Sequence, residues 1–582
     1  MIGGPDLGAE VNLLLSFEEM GALLTALLPR ATLAEDVLDA FLLAAGMHQI
    51  HEDYSGEATT VKGGRGAAAG GVVLGALVRQ LASGVAACVV NGAEAVPLAA
   101  FDRSAAEAGI GHVMASAPRR MRREVVRLPN CYRSFDQHPA DTLELARRFA
   151  NGGGDRDRPV AVVGLRTSGS YLAPLTAAFL TLLGFQRTDV FTIRPGAPRP
   201  ATTEGALRRL ATAGAVAVVV DDPPVTGAAL ERAAGELRSL GWPQESIVML
   251  VASFSDDGAL PERLAAYPSV VLPWECWRVP GRLADDEVAA TAAALVGVAL
   301  PVDGGGRLTV KSVEAVEGIA GFRPRGHARG ALSLEVSDGS GAPPRHALVG
   351  VEGCGIGYLG RHASAVASRL GPRVPAVLRA DDGLLFREWL PDEARLSIRD
   401  LNSRPGTVAR LVAGYVHERH RALPVAEDVS RRLKGRSAVA ELVGQMLASA
   451  FGPAGRWAAR PCRQAGLHLL AVAQPSVIDG KMALGNWYWS ESGDLRKAGA
   501  WDRAFSNRDL YCYDPVFDVA GAAADAELHG ADDFGPLLRR AYEEVSGAPV
   551  ADERWLLYGL FHHVIGHQIS GRVGAAADAP SP

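Results

Sequence analysis

Four short apolar runs, separated by amphipathic stretches, occupy the segment between residues 159 and 252. The runs cover residues 159–164, 190–193, 215–220 and 247–252. Because each run is continuously apolar instead of apolar at every second position, it predicts a strand buried on both faces, as in a parallel sheet covered by helices. The stretches between the runs have helical spacing. The sequence therefore predicts an α/β fold with a doubly wound parallel sheet, placed at residues 126–300.

Composition and charge exclude several classes of protein. The chain has 582 residues, 48% hydrophobic and 21% charged, which is typical of a folded protein with several domains. The net charge of -6 gives no overall attraction to nucleic acid or to an anionic membrane, and we expect neither as a partner. Six cysteines without a C-x-x-C pair argue against a disulfide framework. Since we find neither a secretion signal nor a membrane-spanning run, we expect a cytoplasmic protein.

The remaining sequence divides into further predicted regions. Residues 1–125 have helical spacing and predict a mostly helical domain of unassigned role. After a Pro- and Gly-rich boundary, five short strand-like runs with one helix between the third and fourth predict a β-rich lobe at 301–391. Helical segments predict a second lobe at 392–573, and the tail 574–582 is expected to be disordered. The second half is thus predicted to be a two-lobed α+β structure.

The most informative motif is a buried strand that ends in two carboxylates and leads into a glycine-containing loop. Asp221 and Asp222 end the strand, and a helix is predicted to begin directly after Thr226 and Gly227. The N–H groups at a helix start have no carbonyl partner, and the helix dipole adds positive potential, so they form a natural phosphate site. Adjacent carboxylates accept hydrogen bonds from a sugar diol and hold Mg²⁺ through water.

A second loop of suitable chemistry follows the first apolar run of the same domain. It combines a cation, three hydroxyl groups and a glycine that allows close approach of the backbone, and its members are Arg166, Thr167, Ser168, Gly169 and Ser170. Positive charge and several hydrogen-bond donors suit a pyrophosphate group. An ordinary turn between strand and helix explains either loop alone, but two such loops on consecutive βαβ units are more specific.

Together the two loops resemble those of type I phosphoribosyltransferases, over residues 126–300. The resemblance implies that Asp221 and Asp222 hold the ribose hydroxyls of 5-phosphoribosyl 1-pyrophosphate (PRPP), with Mg²⁺ as cofactor. It also implies that the loop 166–170 binds pyrophosphate and stabilises its departing charge. The 5-phosphate would be wrapped by Val225, Thr226, Gly227, Ala228 and Ala229.

This sequence departs from the family pattern in the second loop. Pro223 and Pro224 stand where the family has aliphatic residues, and Val225 and Ala229 stand where it has threonine or serine. The backbone donors survive these changes, whereas two hydroxyl contacts are lost. The affinity for PRPP, and the identity of the ligand, therefore stay open at this point.

Two further segments are candidates for parts of the same site. Arg194 and Arg199 lie in a Pro- and Gly-rich segment that is either a lid over pyrophosphate or a plain connector. Residues 132–138 are a candidate hood for the acceptor, which in this family is bound by a variable segment.

Near the C-terminus, an acid, an asparagine and two further acids follow one another, at Asp479, Asn486, Asp502 and Asp518. This pattern resembles the aminoglycoside/choline phosphotransferase branch of the kinase-like fold. The first acid of that pattern orients the substrate hydroxyl and corresponds to Asp479. The asparagine and the second acid bind Mg²⁺ and correspond to Asn486 and Asp502. The last aspartate braces the catalytic loop and corresponds to Asp518. The resemblance implies ATP as a further ligand.

Departures from this second family are more serious. Asp479 lies seven residues before Asn486, whereas the residue five before it, where the family has its acid, is Lys481. The third predicted strand of the lobe, residues 347–351, has no lysine for the phosphates of ATP. We therefore interpret this half as a degenerate kinase-like domain.

A histidine pair near the C-terminus has the spacing of two metal ligands on a helix. His563 and His567 share one face of a predicted helix, but no third ligand stands near them in the sequence, so we expect no zinc site.

Three functions are compatible with these patterns. The first is a PRPP-dependent phosphoribosyltransferase that moves the 5-phosphoribosyl group to a small-molecule acceptor and releases pyrophosphate, with a kinase-like accessory domain. The second is a regulatory protein that senses PRPP or a nucleotide and relays its presence through a pseudokinase. The third is a small-molecule kinase whose ATP lysine comes from another position, such as Lys311 or Lys481. The acceptor and the oligomeric state are left open by the sequence.

Overall fold

The structure of the protein is a computed structural model. It describes residues 11–31, 33–58, 65–92, 103–152, 155–283, 285–299, 309–315, 327–337, 345–432, 452–454, 457, 472–505 and 512–563. The predicted boundary at 301 and tail at 574–582, together with His567, lie outside these residues. The chain divides into two compact units. The first comprises Met1–Gly8, Leu15–Arg361 and Ala380–Phe386, and the second comprises Ala9–Leu14, His362–Arg379 and Arg387–Pro582.

The N-terminal part of the first unit is helical. Its helices are α1 (Phe17–Leu27), α2 (Ala34–Ala58), α3 (Arg65–Asn91), α4 (Arg103–Ser116) and α5 (Arg119–Arg122). A capping box starts α1, because the Ser16 hydroxyl accepts from the Glu19 amide while the Glu19 carboxylate accepts from the Ser16 amide. Helices α2 and α3 pack on each other and on the helix Gly169–Leu182, which follows the first predicted loop, so the N-terminal region lies against the predicted site.

Helix α3 has an unusually apolar composition. Its segment Gly70–Asn91 has the length and hydropathy of a membrane-spanning helix, and 44% of its most apolar window is buried inside the protein. A core helix of a globular protein passes the same test of length and composition.

A five-stranded parallel sheet follows. Its strands are β1 (Val160–Leu165), β2 (Thr188–Ile193), β3 (Val216–Val220), β4 (Ile247–Ala252) and β5 (Ser269–Leu272), in the order β2-β1-β3-β4-β5. Helices in this region are α6 (Asn130–Arg133), α7 (Pro139–Asn151), α8 (Gly169–Leu182), α9 (Ala201–Thr212), α10 (Ala228–Ser239), α11 (Arg278–Arg282) and α12 (Asp286–Ala299). Every residue of β1 is buried, because helices cover both faces of the sheet. The parallel sheet predicted from the continuously apolar runs is therefore present.

A second five-stranded sheet has the order β6-β7-β8-β10-β9. Its elements are β6 (Thr309–Ala315), β7 (Arg329–Ser337), β8 (Arg345–Gly353), α13 (Gly357–Leu370), β9 (Val377–Asp381) and β10 (Leu384–Glu388). The pairs β6–β7 and β7–β8 are antiparallel, and α13 lies between the third and fourth strands in the chain.

Several hydrogen bonds within the first unit join this second sheet to the parallel-sheet region. Asp136 accepts from the Ala328 amide at 2.7 Å, and the Ile356 amide donates to the Tyr132 carbonyl at 3.1 Å. Arg282 donates to the Asp382 carboxylate at 2.7 Å. Since these contacts cross the boundary expected near residue 300, the segments on its two sides belong to one compact unit.

The second unit is mostly helical in the residues described. Its elements include α14 (Ile398–Ser403), α15 (Pro405–Ala422), a two-stranded sheet of β11 (Trp487–Trp489) and β12 (Leu495–Lys497), α16 (Pro515–Leu528) and α17 (Phe534–Ser546). Asp514 caps α16 by accepting from the Val516 amide at 3.0 Å, and Pro515 occupies the first helical position, where its missing N–H costs nothing.

Candidate functional site

The two predicted loops lie side by side at one edge of the parallel sheet. Strands β1 and β3 are neighbours, and Gly164 near the end of β1 pairs with Val220 at the end of β3. The segments that follow these two residues must therefore leave the sheet at the same edge. Gly164 and Gly169 touch so closely that a Cβ added to Gly164 would lie 2.1 Å from the Gly169 carbonyl oxygen. The peptide between Arg166 and Thr167 is cis.

The loop after β3 is open to solvent. Gly227 caps α10 in the left-handed conformation with φ 68°, which a glycine adopts without steric cost. Val225, Thr226, Ala228 and Ala229 are exposed. The first hydrogen bond within the helix joins the Glu231 amide to the Gly227 carbonyl. The helix amides before Glu231 therefore have no carbonyl partner within the helix. This predicted 5-phosphate loop thus presents a helix N-terminus to solvent.

The acidic pair is half-buried, and burial changes its protonation. Burial, followed by the charge of Asp222, raises the pKa of Asp221 well above its ordinary value. Burial raises the pKa of Asp222 to about 6, although hydrogen bonds with Ser168, the Cys131 backbone and Asn130 oppose this rise. Among the residues that the structure describes, neither acid has an ion-pair partner. Burial thus disfavours negative charge on this pair, and a ligand that supplies hydroxyl donors or a cation would offset that cost.

The loop after β1 is less open than the sequence suggests. Ser168 and Ser170 are buried, at 2% and 1% exposure. Arg166, expected to stabilise departing pyrophosphate, instead donates to Asp53 at 2.8 Å and to Glu52 at 3.2 Å, both on α2. Its remaining hydrogen bonds go to the side chain and carbonyl of Thr192. In this conformation Arg166 ties the N-terminal helices to the sheet edge.

The predicted lid segment is held at both ends. Arg194 forms a bidentate salt bridge with Asp53, with N···O distances of 2.8 and 2.6 Å. Arg199 pairs with Glu236 of α10, whose carboxylate also accepts from the Gly196 amide at 2.6 Å. Both arginines are therefore engaged by protein carboxylates, and the segment is anchored to its neighbours.

The candidate hood is likewise used for packing. Tyr132 and Arg133 are buried, and Asp136 bonds the His327 side chain at 2.6 Å as well as the Ala328 amide. These contacts leave the acceptor unassigned. The hood approaches the site through Asn130 and Cys131, which lie beside Asp222.

In the second unit, Asp479 lies in a buried ionic cluster. It is 0% exposed and accepts from the Tyr415 hydroxyl at 2.6 Å. The ammonium group of Lys497, also 0% exposed, lies 3.3 Å from its carboxylate, and Arg419 lies 3.9 Å away. Burial lowers the pKa of Lys497, and the charge of Asp479 opposes that shift. A carboxylate without exposed surface cannot orient a substrate hydroxyl in this conformation.

The other predicted kinase-like residues surround the same segment. Asp518 accepts from the backbone amides of Asp479 and Gly480, at 2.7 and 2.8 Å. Burial and the charge of Asp479 raise the pKa of Asp518 to about 7. Lys481 pairs with Asp502, the expected Mg²⁺ ligand.

The predicted asparagine is turned toward its own loop. The Asn486 side-chain amide lies 3.4 Å from the Ala483 carbonyl and 3.5 Å from the Lys481 carbonyl. Asp518 is thus placed to brace the loop, whereas the two expected metal ligands, Asn486 and Asp502, contact protein groups.

Sequence reasoning missed two groups of residues. The first comprises Gln49, Glu52 and Asp53, which are spaced three and four apart and so share one side of α2. The second comprises Tyr415, Arg419 and Lys497, which carry no motif. Among the described residues, no group of three or more histidine, cysteine or acidic side chains is placed to hold a metal ion. A Mg²⁺ ion at Asp221 and Asp222 would therefore need oxygen ligands from water and the substrate.

Comparison with known proteins gives limited similarity. No protein-family model matches the sequence, and no curated protein matches it. The structure of the choline kinase LicA from Streptococcus pneumoniae is similar with 14% identity and a TM-score of 0.29, covering 48% of this chain and 87% of that chain. The macrolide 2'-phosphotransferase MphH from Brachybacterium faecium is similar with 16% identity and a TM-score of 0.26, covering 51% and 100%. These TM-scores are too low to assign a chemistry to the site.

Proposed function

We propose that the carboxyl edge of the parallel sheet binds PRPP and that the protein is a phosphoribosyltransferase acting on a small-molecule acceptor. The observation that supports this proposal most directly is the placement of Asp221 and Asp222 at the end of β3. These acids have no cationic partner among the described residues and stand directly before an open helix N-terminus. A phosphate on the helix amides leaves the sugar diol of the same ligand within reach of two carboxyl groups.

In the proposed reaction, the bond between C1 of the ribose and the pyrophosphate oxygen breaks with its electron pair leaving on pyrophosphate. The acceptor's lone pair then forms the new bond to C1, and the acceptor proton goes to solvent. Asp222 accepts a hydrogen bond from a ribose hydroxyl, and the amides at the start of α10 hold the 5-phosphate in place. Mg²⁺, when bound, would neutralise charge on the pyrophosphate.

The first experiment measures PRPP binding by calorimetry in the presence of Mg²⁺, with a charge placed in the phosphate loop. Val225 is 52% exposed, so Val225→Glu should fold normally. Its carboxylate should weaken PRPP binding about tenfold, since repulsion of a nearby phosphate costs roughly 1.4 kcal/mol. Val545→Glu, at another exposed valine in α17, is the matched control and should bind as the parent does. Equal affinity in parent and Val225→Glu would refute the proposed site.

Pyrophosphate release in a screen of nucleobase and small-amine acceptors separates the enzyme from the sensor. Acceptor-dependent release supports phosphoribosyl transfer. Tight PRPP binding without release for any acceptor supports the regulatory alternative.

Phosphoryl transfer by the second unit is a second candidate. It is favoured by the two backbone hydrogen bonds with which Asp518 holds the loop at Asp479 and Gly480, an arrangement suited to a catalytic loop. The burial of Asp479 argues for a structural role instead.

One substitution distinguishes these two roles of Asp479. Asp479→Asn should lower the free energy of unfolding by about 3–5 kcal/mol, because Lys497 would be left buried without its counter-charge. Urea unfolding of this variant and of Asp479→Asn/Lys497→Met measures the effect, and the double variant should recover much of the loss. A variant of parental stability that loses ATP-dependent phosphorylation of a small-molecule substrate would favour the kinase.

A further inference from the structure

Polar side chains on one face of helix α2 contact the loop that follows β1. Gln49 and Asp53 are four residues apart and therefore lie on one face, with Glu52 beside them. The Gln49 amide, in the orientation that satisfies both neighbours, donates to the Ser170 hydroxyl at 3.0 Å and accepts from Arg194 at 3.1 Å. The N-terminal region thus contacts the loop through side chains as well as through helix packing.

Asp53 is the centre of this contact. One of its oxygens accepts from Arg166 at 2.8 Å and from Arg194 at 2.8 Å, and the other accepts from Arg194 at 2.6 Å. Burial opposes ionisation of Asp53, but its hydrogen bonds and charge interactions with Arg194 and Arg166 outweigh burial and lower its pKa. Two guanidinium groups at the loop therefore share one protein carboxylate.

The same arrangement of donors fits a diphosphate. Planar guanidinium groups bind carboxylate and phosphate oxygens with similar two-pronged geometry. An anion with several oxygens, placed at the mouth of this loop, would accept hydrogen bonds from the same guanidinium N–H groups that now donate to Asp53. The carboxylate and the anion would then compete for the same donors.

We propose that α2 is an internal competitor, in which Asp53 occupies the anion position beside the loop and a diphosphate-bearing ligand must displace it. This inference rests on the proposed function for the identity of the ligand. It assigns the N-terminal helices a regulatory role, because any event that moves α2 would change the affinity of the loop for diphosphate.

The test is calorimetric binding of inorganic pyrophosphate to the full-length protein and to Asp53→Asn. Removal of the competing charge should strengthen pyrophosphate binding about tenfold. Asp36→Asn, the same substitution in the first turn of α2, is the matched control and should bind as the parent does. Equal or weaker binding by Asp53→Asn, or no binding by either protein, would overturn the proposal, since Asp53 would then only position the two arginines.

Hydrogen exchange on the unmodified protein gives a second readout that does not depend on the variant folding. Saturating pyrophosphate should speed amide exchange in the part of α2 that carries Gln49 and Asp53, and unchanged or slower exchange in the bound protein would overturn the proposal. The outcome is separable from that of the proposed function, because pyrophosphate binding concerns the loop after β1, whereas Val225→Glu reports on the loop after β3.

Discussion

Replacing the paired acids with Asp221→Asn/Asp222→Asn should weaken PRPP binding at least about hundredfold and abolish any pyrophosphate release. Each carboxyl group is expected to receive a hydrogen bond from a ribose hydroxyl. Bonds to charged groups contribute about 1.5–3 kcal/mol each, and roughly 3 kcal/mol corresponds to two powers of ten in affinity. Calorimetric titration with PRPP and Mg²⁺ gives the affinity, and an acceptor screen gives the release.

The paired substitution should not unfold the protein. The folded-state pKa values of both acids are raised, so their ionised forms are disfavoured in the folded state. The asparagine amides carry no charge, so the double variant avoids the cost of burying ionised carboxylates at any pH above the pKa of aspartate in the unfolded chain. Its melting temperature at pH 7 should therefore equal or exceed that of the parent. Loss of binding in a protein of parental stability is then attributable to the missing carboxylates.

A second acid pair supplies the control. Asp256 and Asp257 are exposed and follow β4, the neighbour of β3 in the sheet. Asp256→Asn/Asp257→Asn makes the same change of charge near the same edge and should leave PRPP binding within about twofold of the parent, because the expected direct contacts are untouched. Equal losses in both double variants would mean that net charge, and no specific contact, determines the affinity.

Gly164→Ala should be among the most damaging single substitutions in the first unit. The new Cβ would lie 2.1 Å from the Gly169 carbonyl oxygen and 2.7 Å from the Gly169 carbonyl carbon. Because both are backbone atoms, no side chain can move aside, and α8 would have to shift away from β1. We expect a loss of more than about 4 kcal/mol, measured by chemical denaturation, or a protein that fails to fold.

The control for this prediction is a glycine with open space. A Cβ on Gly235, inside α10, would meet no atom within 4 Å. Gly235→Ala should therefore stabilise the protein by about 0.5–1 kcal/mol, since alanine costs less conformational entropy in a helix. Parental stability of Gly164→Ala would show that the close approach of β1 and α8 is dispensable.

The sequence predicted those features that depend on local pattern. Continuously apolar runs predicted the strands and their parallel pairing, because strands buried on both faces must be apolar throughout. Asp221, Asp222 and Gly227 could be placed because they directly follow such a strand. Assignment of these residues to PRPP stays a prediction.

Contacts between distant segments could not be read in the same way. Arg166 meets Asp53 across 113 residues of sequence, and nothing local in either segment specifies the other. Lys497 likewise looks like a surface lysine in the sequence, although it is fully buried beside Asp479. Such pairs depend on how helices and sheets pack. The contacts between Asp53 and the loop after β1, and the ionic cluster at Asp479, could therefore be found only from the three-dimensional structure.

The hydrogen bonds between the hood and the second sheet determine where the chain can be truncated without exposing buried groups. Asp136 and Tyr132 satisfy backbone groups that belong to segments beyond residue 326. A fragment ending at residue 300 would lack those partners, and Asp136, which is buried in the whole protein, would become exposed to water. A fragment for recombinant work on the parallel sheet should therefore also contain the second sheet, which belongs to the same compact unit.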